Sequence, residues 1–411
     1  MRTRSILLSL GLASLSAVVL SAPALAASGA AYFKGKTITY VVATGAGGGY
    51  DFYGRLISEY MEQALPGSTI IVKNVPGAGH IIGASQIYNS KANGLTIGTF
   101  NTGLIFQQVI GRKGIKFDLA KMSWIGKASS DPRVLMASVT SKVKTLADLR
   151  RETATTMSTS GVGSSGYNDT MMLTKVLNWN IKLVPGYRGM QSEMAMRRGE
   201  IDAAVGSLSS ADLFVKNGYG RIIFQVGGTP PEGVPLLRDL VKGEDARSIA
   251  ALIGSQGELA RLTAGPPGIP ADRLEALRAA YKSALNDPDF RAKAKKVGRP
   301  VDPLFGEDVA KKIRAALQQS PKTVALVRKI LNVKAPSIKV GPVAIEVQKK
   351  GRYIVFAGAG GKKVKSKVSG SRTKIKIAGK KANRKKLKTG MKCKIDYKPG
   401  GRNEPKTLDC E

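Results

Sequence analysis

Apolar and polar positions follow two periods along the chain. Thr37 to Thr44 (TITYVVAT) is rich in β-branched residues and bounded by glycine, which predicts a strand. Asp51 to Leu65 then places Phe52, Leu56, Tyr60 and Leu65 at helical intervals. Ser68 to Val75, Gly79 to Ser90 and Leu95 to Phe100 repeat the pattern. Such βαβ units imply parallel strands and right-handed crossovers. A second series begins near Trp124, with strands expected over 134–139, 155–158, 181–184, 201–206 and 221–226 and helices from 146, over 168–177 and over 190–198. After Pro266-Pro267 the spacing turns helical over 271–285, 289–297 and 307–317. Two α/β lobes with a cleft between them satisfy this order: lobe 1 over 27–128, lobe 2 over 129–226, and a return to lobe 1 over 227–335.

The end of the chain has a different rhythm. Short alternating runs at 339–348, 353–357, 364–368, 373–377 and 391–397 are separated by Gly and Lys clusters. Thr373-Lys374-Ile375-Lys376-Ile377 shows the strict period of two of a half-buried strand. A small antiparallel β-domain or barrel over 341–411 fits, with its boundary between Ala335-Pro336 and Gly341-Pro342. Charge sharpens that division. The chain has 65 Lys and Arg against 29 Asp and Glu, and residues 341–411 alone hold 21 against 5. Both cysteines, Cys393 and Cys410, lie there too, and an exported chain can join them in one disulfide.

The N-terminus bears on what so basic a protein meets. Arg2 and Arg4, an apolar run from Ile6 to Leu20 and Ala24-Leu25-Ala26 form a secretory signal peptide over 1–26, cleaved near Ala26. A soluble periplasmic protein follows, and export makes nucleic acid an unlikely partner. A single histidine argues against a His-ligated metal or a serine-protease triad.

Glycine-rich loops carry the candidate chemistry. Thr44-Gly45-Ala46-Gly47-Gly48-Gly49-Tyr50-Asp51 joins the first strand to the first helix, a setting in which free N–H groups and the helix dipole hold anions. It fails the dinucleotide spacing in both registers, because Tyr50 or Phe52 stands where the third Gly belongs. A phosphate-binding loop ending at Gly35-Lys36-Thr37 fails as well, with Ala30 at its first Gly position. Pro76-Gly77-Ala78-Gly79-His80 and Ser158-Thr159-Ser160-Gly161-Val162-Gly163-Ser164 open helices after other strands. Three such turns would surround one crevice, suited to a carboxylate or a phosphate.

Residues from about Lys36 to Leu331 resemble the Bug family of periplasmic solute-binding proteins, which serve tripartite tricarboxylate transporters. The resemblance rests on Gly47-Gly48-Gly49-Tyr50-Asp51 with Arg55 one turn on, the run from Val72 to Gly79, and Asn93-Gly94-Leu95-Thr96-Ile97-Gly98. Ser160 to Ser164, Val184-Pro185-Gly186-Tyr187-Arg188-Gly189 and Gly199-Glu200-Ile201-Asp202 continue it in family order. Ala46 stands where the family usually has Pro, His80 where it has Gly, and Gly186 interrupts a Val-Pro-Tyr run. The resemblance implies a two-lobed clamshell of the periplasmic-binding-protein fold with parallel-rich sheets, which captures a small carboxylate and delivers it to membrane subunits of a transporter. It implies a site built from Thr44, Gly45, Ala46, Gly48, Gly49, Tyr50 and Asp51 with Ser158, Ser160, Gly161, Gly163 and Ser164. Tyr187 and Gly189 match a motif facing the cleft, Arg188 is a candidate to pair a ligand carboxylate bidentately or a surface arginine, and Asn101 and Ser207 follow strands.

Asp51 repels an anion, so it is expected to cap the helix or orient Arg55. His80 is a candidate for tuning binding near neutral pH or a plain rim residue. With no Cys in the body, no Gly-x-Ser-x-Gly and no acidic–His cluster, neither an enzyme nor a metal or cofactor is expected. A monomer is expected. The competing class is a polyanion- or envelope-binding protein acting through Lys380-Lys381 and Arg384-Lys385-Lys386-Leu387-Lys388.

Overall fold

The computed structural model describes residues 29–187, 190–333, 337–397 and 403–411, so the expected signal peptide lies outside it. The first lobe is built on strands β1 (Thr37–Val42), β2 (Thr69–Asn74), β3 (Thr96–Thr99) and β4 (Ser123–Lys127). Helices α1 (Gly49–Ala64), α2 (Ile81–Tyr88) and α3 (Gly103–Val109) connect them. β1 pairs in parallel with both β2 and β3. Its Ile38, Tyr40, Val41 and Val42 are fully buried, as a strand covered on both faces requires. α1 lies close over it, because a Cβ on Gly54 would come within 2.7 Å of the Val42 side chain.

The chain then crosses to a second sheet of β5 (Arg133–Ser138), β6 (Thr155–Thr159), β7 (Ile181–Pro185), β8 (Ala203–Ser207) and β9 (Gly220–Val226). Its helices are α4 (Ser165–Leu177), α5 (Gln191–Arg197) and α6 (Leu208–Lys216). β6 pairs in parallel with β7 and β8, while β5 runs antiparallel between β8 and β9.

Two expectations on domain limits are corrected. Residues 227–258 do not return to the first lobe: α7 (Leu237–Leu240) and α8 (Glu244–Glu258) pack on β9, and α8 also packs on α4. Ile249, Ala250 and Ile253 share a core with Leu173 and Phe224, so burial of an apolar face sets the position of α8. The return comes at β10 (Leu262–Gly265), antiparallel between β3 and β4. After it come α9 (Ala271–Asn286), α10 (Pro288–Lys296), β11 (Leu304–Phe305), α11 (Gly306–Leu317) and α12 (Pro321–Ile330), the last packed on α4.

Second, the tail domain starts earlier than residue 341. β12 (Ile338–Gln348) runs through Gly341-Pro342, where its register with a later strand shifts. It joins β13 (Tyr353–Ala357), β14 (Lys363–Lys367), β15 (Lys374–Ile377), β16 (Lys380–Ala382), β17 (Lys392–Tyr397) and β18 (Pro405–Cys410) in one seven-stranded sheet. All pairings are antiparallel except β15 with β18. Cys393 and Cys410 face each other across β17 and β18 and are bridged, closing a short loop that stabilises the fold by roughly 3 kcal/mol.

Candidate functional site

The loops at the strand ends enclose a cavity of about 470 Å³ between the lobes. Thr44, Gly45, Gly48, Gly49, Tyr50 and Asn101 line it from the first lobe. Ser158, Ser160, Gly161, Ser164 and Ser207 line it from the second. The remaining expected residues lie elsewhere. Ala46 and Gly163 are not among the lining residues; a Cβ on Gly163 would meet the Arg112 guanidinium at 2.9 Å. Tyr187 packs beside the Val134–Met136 core and lines a separate shallow depression, while Arg188 and Gly189 fall outside the described residues.

Asp51 serves the loop from beneath. Its carboxylate accepts hydrogen bonds from the Gly47 N–H at 3.0 Å, from Asn74 Nδ2 at 2.9 Å and from Arg55 Nε at 3.1 Å. Asn74 Nδ2 also reaches the Thr44 carbonyl at 3.2 Å. Burial opposes ionisation of Asp51, but the bonds from Arg55, Gly47 and Asn74 outweigh it and hold the carboxyl below its usual range. This carboxylate thus sets the curvature of the turn just before α1.

Helix starts from both lobes reach the cavity. The first three donors of α1, on Gly49, Tyr50 and Asp51, have no acceptor within the helix, and the first bond back to the Gly48 carbonyl comes from Phe52. In α4, Ser164 Oγ caps the Tyr167 N–H, while Ser165 and Gly166 at N1 and N2 have none within the helix. Gly49, Tyr50, Ser165 and Gly166 all line the cavity. The lobes touch here: Ser165 Oγ accepts from the Gly103 N–H and donates to Asn101 Oδ1, both at 3.0 Å. Two helix N-termini, one per lobe, thus bear on one space.

Buried ion pairs escaped the sequence reading. Asp131 accepts from the Ser209 N–H at 3.0 Å and from Ser209 Oγ at 2.7 Å, and it pairs with Arg261. It thereby caps α6 as an internal carboxylate. Arg261 lies 4.5 Å from the Tyr50 ring centroid, and its backbone sits at φ +56, where the chain re-enters the first sheet. A Cβ on Gly49 would come within 2.6 Å of its guanidinium. Arg133 gives its Nε to Asp169 at 2.9 Å, and Gln256 holds the other Asp169 oxygen at 2.9 Å. Burial pushes the Asp169 carboxyl up despite both partners. These cavity arginines are therefore already matched by internal acids. Glu193, by contrast, has a buried Oε2 without a hydrogen-bond partner, and burial raises its carboxyl. No local pattern marks Asp131 or Arg261 in the sequence, since 130 positions separate them.

His80 lines the same cavity, with Nδ1 2.7 Å from the Ala43 carbonyl, so the neutral ring carries its proton on Nδ1. Burial draws its pKa down to about 4 from 6.5, which removes it as a switch near neutral pH. Between those values the unfolded chain binds the extra proton, so this contribution to stability is complete above about pH 6.5 and is lost as pH falls through 4. NMR of this single histidine should find the ring titrating near 4, and His80→Gln should flatten that part of the pH–stability curve. A ring titrating near 6.5 would contradict the buried neutral state.

Residues 54–331 match the model of the tripartite tricarboxylate transporter family receptor, more than half of the chain. The chain belongs to this receptor family. A UPF0065 protein of Pseudomonas sp. (strain P51) is 26% identical over 275 residues, covering 65% of this chain and 79% of the relative. One from Bordetella pertussis is 26% identical over 266 residues, covering 63% and 79%. Among solved structures, the periplasmic binding protein BugD superposes with a TM-score of 0.59 at 18% identity, over 72% of this chain and 97% of its own. MatC of Rhodopseudomonas palustris, solved with bound malate, gives 0.59 at 20% identity over 71% and 99%. An adipate-bound protein of R. palustris gives 0.57 at 18% over 72% and 97%. The receptor therefore has the two-lobed periplasmic-binding-protein fold, with helix N-termini at its cleft. The family match ends before the β12–β18 sheet.

Proposed function

We propose that this receptor, exported to the periplasm, captures a small carboxylate between its lobes and delivers it to the membrane subunits of a tripartite tricarboxylate transporter. The observation that carries the reading is the pair of helix N-termini, α1 from one lobe and α4 from the other, lining one cavity. A carboxylate bridging them would gain N–H donors from both lobes and favour their closure. Internal pairing of Arg133 and Arg261 leaves binding to backbone dipoles, which suits a small acid better than a polyphosphate. The cavity of about 470 Å³ matches that size. The unpaired Glu193 oxygen favours a ligand with a hydroxyl or amino group beside its carboxylate. Malate and adipate in related proteins are both small carboxylates, and malate also carries such a hydroxyl. Calorimetric titration with small hydroxy-, amino- and dicarboxylic acids tests the reading: one class should bind at one per chain.

A further inference from the structure

The β12–β18 domain presents a lysine surface that the receptor reading leaves unused. Cross-strand register puts Lys381 opposite Lys376, Lys376 opposite Asp409, and Asp409 opposite Lys394. The next row on the same face runs Lys374, Thr407, Asp396, Lys339. The five lysines in these rows are exposed, and none is ion-paired among the described residues. Their alternate neighbours Ile375, Ile395 and Leu408 are buried beneath, so strand period alone directs the charges outward.

Lysines on an edge strand can serve only to block strand pairing, and β16 is such an edge. That accounts for Lys380 and Lys381. It does not account for Lys339 and Lys394, whose strands β12 and β17 lie inside the sheet. Like charges directly opposite, as in Lys376 and Lys381, also cost stability. The Cys393–Cys410 bridge joins β17 and β18 inside the sheet and offsets that cost.

We infer that this face docks the receptor on an anionic phospholipid surface. The lysines lie on four strands, β16, β15, β17 and β12, and spread in two dimensions over roughly 20 Å at the usual strand spacing, outnumbering Asp409 and Asp396 on the same face. A plane of headgroups meets both rows at once, whereas a linear polyanion follows one. Phe356 and Tyr397 are buried in the domain core, and the two rows hold no aromatic side chain, so the face has nothing on which to stack bases. It also lacks an apolar wedge for acyl chains, so the attachment is electrostatic and reversible.

Sedimentation of residues 27–411 with lipid vesicles tests this. Binding to phosphatidylglycerol-containing vesicles should exceed binding to pure phosphatidylcholine by roughly tenfold or more and should fall steeply between ~50 and ~300 mM salt. The variant Lys374→Gln/Lys376→Gln/Lys394→Gln, which sets no like charge opposite Asp409, should lose that preference while keeping its melting temperature and its carboxylate binding. Equal sedimentation with both vesicle types would overturn the inference. So would an unaltered triple variant, or tighter binding to double-stranded DNA or heparin than to the anionic vesicles. Carboxylate binding is read separately, so failure on either side leaves the other interpretable.

Discussion

Replacing Asp131 by Ala should lower the unfolding free energy by about 3–5 kcal/mol, the range for stranding one partner of a buried ion pair. Arg261 would keep its charge with no acid beside it, at 5% side-chain exposure. Ser209 would also lose the acceptor of its N–H and hydroxyl. Thermal denaturation should register a fall of roughly 6–15 °C. Asp131→Asn keeps the shape and should cost less, because Ser209 retains an acceptor. Ligand affinity should drop in both variants, since Arg261 braces Tyr50 at the cavity wall. A loss below about 1 kcal/mol in Asp131→Ala would mean that Asp131 does not stabilise the buried Arg261 charge.

Ser160→Asp should weaken carboxylate binding by roughly tenfold to a thousandfold, with little change in stability. Ser160 is exposed on the lobe 2 loop and lines the cavity beside Gly161. A carboxylate there adds like-charge repulsion, worth up to about 4 kcal/mol at contact distance and less with separation. It also competes for the α4 N-terminus. Ser160→Asn has nearly the same shape and no charge, so it should bind close to normally. Equal loss in both variants would point to sterics.

Much of the site was legible in local sequence because its parts are local. A strand, a glycine turn and a helix start are written within eight residues, as in 44–51, and the backbone then places Gly48 and Gly49 with little freedom. Asp51 was legible only in part: its charge argued for a supporting role, but Asn74 and the Gly47 N–H as its partners required the fold. Asp131, Arg133, Asp169 and Arg261 carry no local signature, because their pairing spans 36 to 130 positions. The return point failed for a related reason. Helix α8 reads as an ordinary amphipathic segment, and only the buried face shared with Phe224 assigns it to the second lobe. In the tail, the period of two gave five of the seven strands; β16 and β18 were not expected, and with β18 its parallel pairing to β15 was missed.

Anion capture between the lobes by backbone N–H groups of two helix starts is tested by titrating the unmutated receptor with a bound small acid and with its uncharged amide analogue. The acid should bind at one per chain and the amide should bind at least about a hundredfold more weakly, the difference that loss of charge-assisted hydrogen bonds predicts. Equal affinities, or binding of neither while a nucleotide binds, would rule out anion capture by these helix starts.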